Sequence, residues 1–176
     1  MLIHIIRELV SLKVKVNITQ SDAWNFSKHN ILHNSRSRLD FFINVLSVPI
    51  FIAFMLYAEK KPTFNILIVS ILSIPLACFI MLFIIKRRVN RSVLKSDGVL
   101  GEHTIEISEE GLREKTEVND NLHLWKGIIK VQQNNDYIYI YIAELTAHII
   151  PKISFSSKEE ANVFFDTTLR YWNDRR

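Results

Sequence analysis

FFINVLSVPIFIAFMLYA at Phe41–Ala58 and FNILIVSILSIPLACFIMLFII at Phe64–Ile85 stand almost back to back, divided only by Glu59-Lys60-Lys61-Pro62-Thr63. Neither run holds an Asp, Glu, Lys, Arg or His. As helices they would extend roughly 27 and 33 Å, close to the ~30 Å hydrocarbon core of a bilayer. A soluble helix of that length normally shows a polar stripe, and these runs show none. The pattern predicts a transmembrane hairpin. Asn44, Ser47, Ser70 and Ser73 are mild polar interruptions suited to bonding between helices or between copies. Pro49 and Pro75 predict kinks, which lipid-embedded helices tolerate. Cys78, the sole cysteine, lies inside the second run; it can form no intrachain disulfide, and its expected role is small apolar packing.

Working outward, charge divides the chain. Residues 1–97 carry 13 Lys and Arg against 5 Asp and Glu, whereas residues 98–176 carry 9 against 13. The overall charge of +4 therefore belongs to the flanks of the hairpin. A nucleic-acid partner would want a basic face on the folded module, so none is expected. Lys28, Arg36 and Arg38 precede the hairpin; Lys86, Arg87, Arg88, Arg91 and Lys95 follow it. The turn has only Lys60 and Lys61, beside Glu59. This asymmetry predicts both termini in the cytoplasm and the turn on the far side. The opening MLIHIIRELVSLKVKV is charged by residue 7 and shows no signal-peptide cleavage pattern, so the hairpin itself is expected to direct insertion.

Val10–Thr19 alternates, with Leu12, Val14, Val16 and Ile18 on one face, and predicts a half-buried strand. A lone strand is unstable, so it needs a sheet, and the candidate sheet lies beyond the hairpin. Thr19-Gln20-Ser21-Asp22 is a helix-start signal; the helix is expected to run from Asp22 toward Arg38 and to continue into, or bend into, the first apolar run. Lys86–Ser96 reads as a basic helical extension, stopped by Asp97-Gly98 and Gly101. Short strands then follow at His103–Ser108, Leu112–Val118, Leu122–Lys126, Ile128–Gln133, Tyr137–Ile142 and Thr146–Ile150, with turn residues between them. Such a series predicts a small antiparallel barrel or sandwich. Ser157-Lys158-Glu159-Glu160 is a capping box that opens a last helix. Its Ala161, Phe164, Phe165, Thr168 and Trp172 share one face, expected to bury against the sheet. The organisation is thus residues 1–38 (strand and helix), 39–96 (hairpin with basic extension) and 97–176 (soluble domain).

Several of these segments resemble the YcxB-like family of bacterial membrane proteins. They are Gly101-Glu102-His103-Thr104-Ile105, Ile107-Ser108-Glu109-Glu110-Gly111, Trp125 before a strand, the YIYIYI run, and Ile149-Ile150-Pro151-Lys152 leading to Phe155 and the Ser-x-x-Glu helix. The upstream order of strand, short helix and two spans is similar too. The resemblance implies an α+β membrane protein of the bacterial inner membrane. It would pair the two-helix hairpin with a cytoplasmic, pleckstrin-homology-like β-barrel capped by the C-terminal helix. It brings no activity and no catalytic residues.

The residues themselves name no chemistry. His29 and His33 are spaced i,i+4, but no nearby Cys, Asp or Glu completes a zinc set. His103, His123 and His148 fall on different predicted strands, and sequence alone does not bring them together. There is no Gly-x-Ser-x-Gly, no HExxH and no glycine-rich phosphate loop. Neither an enzyme nor a cofactor nor a metal is expected. Tyr137, Tyr139 and Tyr141 line one face of their strand opposite Ile138, Ile140 and Ile142. They read either as the face away from the core, outside or under a loop, or as a docking surface, since Tyr combines a rigid apolar body with a polar tip. The acidic turn Ser108-Glu109-Glu110-Gly111 argues against a phosphoinositide site, leaving Arg36, Arg38, Lys86, Arg87, Arg88 and Arg91 as membrane-flanking basic anchors. The expected partners are membrane lipid and a protein, either a second copy or a toxin. The leading expectation is a non-enzymatic inner-membrane protein that presents its soluble domain for protein binding. The alternative, an immunity protein against a membrane-active toxin, is suggested by small size, the hairpin and an Ile- and Asn-rich composition. A toxin gene beside this one would favour it.

Overall fold

The structure, a computed structural model, describes residues 11–175; Val10 and His4 lie outside that range. The described residues form two compact units, one made of residues 11–23 together with 93–175, the other of Trp24–Ser92.

In the first unit, β1 (Leu12–Ile18) pairs antiparallel with β2 (Gly101–Ile107) along its whole length, from Leu12 opposite Ile107 to Ile18 opposite Gly101. The alternation explains why: Val14, Val16 and Ile18 are buried, while Lys13, Lys15 and Asn17 are exposed. β3 (Gly111–Lys115) and β4 (Asp120–Leu124) complete a four-stranded sheet ordered β1-β2-β3-β4. A second sheet holds β5 (Lys130–Gln133), β6 (Tyr137–Ala143) and β7 (Thr146–Pro151) in the order β5-β6-β7.

Among the described residues the strands form two separate sheets, and no closed barrel forms. The expected strand over Leu122–Lys126 stops at Leu124, and Trp125–Gly127 is a 3₁₀ turn between the sheets. Trp125 is responsible in part. Its indole is 2% exposed, and its Nε1 donates to the Ser108 carbonyl at 2.9 Å, a geometry that turns the chain out of the β4 ladder. Val14, Val16, Ile105, Ile107 and Leu112 from one sheet meet Ile138, Ile140 and Ile150 from the other in a single core.

Gly111 illustrates how closely β3 and β4 approach. A Cβ there would sit 2.3 Å from the His123 carbonyl oxygen, a backbone atom that cannot swing aside. Gly111→Ala is therefore expected to lower the melting temperature of this unit by several degrees, the usual scale for ~1 kcal/mol or more in a small domain.

The last helix of the chain spans Lys158–Arg175. Its capping box forms: the Glu160 backbone N–H donates to Ser157 Oγ at 3.1 Å, and the Glu160 carboxylate accepts from the Ser156 N–H at 2.8 Å. Ala161, Phe164, Phe165, Thr168 and Tyr171 are buried. Trp172 is only partly covered but packs on the core, with its Nε1 donating to the Ile128 carbonyl at 2.8 Å. The Arg175 guanidinium pairs with Glu109, tying the helix end to the β2–β3 turn.

The helices before it are α1 (Gln20–His33), α2 (Ser35–Ala58) and α3 (Thr63–Lys95), which makes the last helix α4. Thr19 and Asp22 cap α1 reciprocally: the Asp22 N–H donates to Thr19 Oγ1, and the Asp22 carboxylate accepts from the Thr19 N–H at 2.8 Å. The expected continuation of α1 to Arg38 does not occur. Asn34 leaves the helical conformation (φ −93°, ψ 121°) and its side chain accepts from the Ser37 N–H, so α2 starts afresh at Ser35. α2 and α3 run through Pro49 and Pro75 without interruption. α2 ends in a two-bond cap: the Lys60 N–H donates to Tyr57 O and the Lys61 N–H to Leu56 O, with Lys60 left-handed at φ 57°. Pro62 then stops any continuation and precedes α3.

Candidate functional site

The buried positions on the inner faces of the two sheets are apolar except at one place. Following each strand inward by its alternation, His103 lies in phase with Ile105 and Ile107 on β2. Glu114 is in phase with Leu112 on β3, and His148 with Ile150 on β7. All three side chains therefore enter the space between the sheets. His103 Nδ1 lies 2.9 Å and His148 Nδ1 3.1 Å from the same Glu114 oxygen, Oε1. A carboxylate only accepts, so both imidazoles must carry hydrogen on Nδ1. The His103 and His148 side chains are each 6% exposed and that of Glu114 19%. His123 on β4 completes the group, its ring centroid 4.9 Å from that of His148.

The electrostatics follow from this crowding. Burial alone would push the Glu114 carboxyl up, but the hydrogen bonds and charges of His103 and His148 outweigh it and hold the carboxyl at about 2. His123 is pushed below the ordinary histidine range, first by burial and then by the neighbouring His148. The Nε2 atoms of His103 and His148 are buried and meet no hydrogen-bond partner among the described residues. Among those residues no group of three or more His, Cys, Asp or Glu side chains is arranged to hold a metal ion. What the group does have is a place for protons, poised between two sheets.

Sequence reasoning named the three histidines but missed Glu114, which organises two of them. A signal was available: a glutamate two residues after Leu112, in the buried phase of its strand, needs a partner.

The other anticipated residues are placed as follows. Tyr137, Tyr139 and Tyr141 do not form an open face: they are 9%, 0% and 4% exposed. Tyr137 and Tyr139 stack at 5.7 Å, and the Tyr137 hydroxyl donates to Asp22 Oδ1 at 2.8 Å. Lys130 Nζ lies 5.5 Å from the Tyr141 ring. Burial pushes the Tyr139 phenol up and takes the Tyr141 phenol to about 12. Arg36, Arg38, Lys86, Arg87, Arg88 and Arg91 are all exposed: the first two in the opening turn of α2, the rest on α3 beyond its apolar run. Arg87 lies over the Phe83 ring at 4.9 Å. His29 is buried and stacks on His33 with centroids 4.3 Å apart. Cys78 is a free thiol.

Residues 107–167, from the end of β2 into α4, match the family model described as YcxB-like protein. The resemblance read from the C-terminal segments therefore holds over that stretch. No curated protein matches the chain.

Proposed function

We propose that this chain is a non-enzymatic protein of the bacterial inner membrane, which anchors a cytoplasmic, pleckstrin-homology-like module by a two-helix hairpin and presents it to a protein partner. One observation carries the membrane part. In each of α2 and α3 the most apolar stretch is only 11% buried within the protein. On α2, Ile43, Ile50, Phe51 and Phe54 are each more than half exposed. A soluble core helix would hide such side chains, and an open apolar band of this size wants lipid. The four-plus-three strand order closed by a C-terminal helix supports the pleckstrin-like reading. The orientation rests on the six exposed cations at the outer ends of the hairpin. Arg36 and Arg38 stand at a helix N-terminus, where the helix dipole disfavours them. Their position suits an anionic membrane face better than it suits the helix.

The test is topology. Reporter fusions after Ser96 and at the C-terminus should be active on the cytoplasmic side, and one inserted between Lys61 and Pro62 on the periplasmic side. A periplasmic C-terminus, or a chain that stays in the soluble fraction after carbonate washing, would overturn the proposal.

A further inference from the structure

We infer that the His103–Glu114–His148 group, with His123 beside it, is a proton-operated clasp between the two sheets, closed at neutral pH and released by mild acid. The geometry is particular. Glu114 belongs to β3 in the first sheet and His148 to β7 in the second, so their hydrogen bond ties one sheet to the other. His103 holds the same oxygen from within the first sheet and fixes the carboxylate in place. One carboxylate thus serves two imidazoles and has a third nearby.

Nothing else on the packed strands balances additional charge. By register Val16 on β1 faces His103, Ile105 on β2 and Asn121 on β4 lie opposite Glu114, and Ile140 on β6 lies opposite His148. Lys13, Lys15, Glu102, Glu106, Arg113, Lys115 and Asp120 occupy the opposite phase of their strands and point away, with Arg113 and Asp120 already paired at 2.7 Å. Lys130 on β5 lies over Tyr141, on the far face of β6. Each proton added to His103 or His148 creates a buried Nε2–H with no acceptor among the described residues. A proton on His123 sets a second cation against the His148 ring. Beyond the first positive charge, the single carboxylate is outnumbered.

The direction follows from linkage. His123 titrates below its ordinary 6.5 in the folded protein. The stability it lends is therefore complete above about 6.5 and lost as pH falls through its lowered value. Glu114 sits in a separate window, its contribution complete above about 4.5 and lost only as pH falls toward about 2. Release below about pH 6.5 would belong to His123, not to the carboxylate.

The experiment is hydrogen exchange on the full-length protein in detergent micelles at pH 7.5 and 5.5, corrected for the intrinsic pH dependence of exchange. Protection of the β7 amides at Thr146–Ile150 is expected to fall several-fold at the lower pH, the direction set by a histidine whose folded value lies below its ordinary one. His123→Gln, a change at a half-exposed edge position, should fold and show a clearly smaller fall. Glu114→Gln should give low β7 protection already at pH 7.5. Equal wild-type protection at the two pH values, or the same fall in His123→Gln as in wild type, would overturn the clasp. Either result stands whether or not Glu114→Gln folds.

Discussion

Phe164→Ala is expected to remove about 3–5 kcal/mol from the soluble unit, the usual cost of truncating a buried phenylalanine. Phe164 is 2% exposed at the centre of the buried face of α4, and its ring centroid lies 5.3 Å from that of Phe155. The neighbouring turn offers no slack: Thr168 is fully buried and its hydroxyl donates to the Phe164 carbonyl at 2.7 Å. The loss is comparable with the whole stability of a small domain, about 5–15 kcal/mol, so the variant should melt far below wild type or aggregate. Val163→Ala is the control. Val163 is 56% exposed, one position away, and the change should move stability by no more than about 0.5 kcal/mol. Thermal denaturation followed by near-ultraviolet circular dichroism would separate the two. Wild-type melting of Phe164→Ala would mean that this helix face does not belong to the core.

The second large effect lies at the other end of the chain. Val14→Asp is expected to detach β1 and unfold the sheet it edges. Val14 is 6% exposed and lies opposite Ile105, itself 1% exposed, so an aspartate there has no partner within the ladder. Burying such a group without a hydrogen bond costs roughly 2–7 kcal/mol even when it protonates. Lys13→Asp, on the exposed face of the same strand, should be tolerated far better. Protease sensitivity of β2 in membranes gives the readout. If Val14→Asp resists proteolysis as well as wild type, β1 contributes nothing to the fold.

How much of this was legible varied with the physics of each element. The apolar runs at Phe41–Ala58 and Phe64–Ile85 needed no tertiary information, because composition alone makes such helices. The period-two faces of Leu12–Ile18 and Tyr137–Ala143 were equally plain, as was the capping box at Ser157. The sequence allowed a continuation or a bend into the first apolar run, but not the place of the break at Asn34, because an N-cap inside a polar helical stretch is decided by one side chain's reach to Ser37. The 3₁₀ turn at Trp125 was missed because it depends on Ser108, a residue 17 positions away. The same holds for the tyrosine face. Alternation said which side of β6 the tyrosines occupy, but not that this side is covered as fully as the isoleucine side. The clasp was half legible: phase placed His103, Glu114 and His148 inward one by one, while their convergence on a single oxygen is a property of two packed sheets.

The pairing of β1 with β2 carries a consequence for biosynthesis. The two strands are neighbours in space, yet roughly 80 residues separate them in sequence, and at about 5–20 residues per second β1 leaves the ribosome several seconds before its partner exists. The intervening chain is the hairpin. β1 must therefore wait, with its valines uncovered, until both apolar helices have been made and, on the proposed membrane reading, the chain has come back to the side it started from. A hairpin that inserted only once, leaving its two flanks on opposite sides of a bilayer, would hold β1 and β2 apart for good, and no sheet would form. On the proposed membrane reading, completion of this small domain therefore requires that the hairpin return the chain to the side it started from.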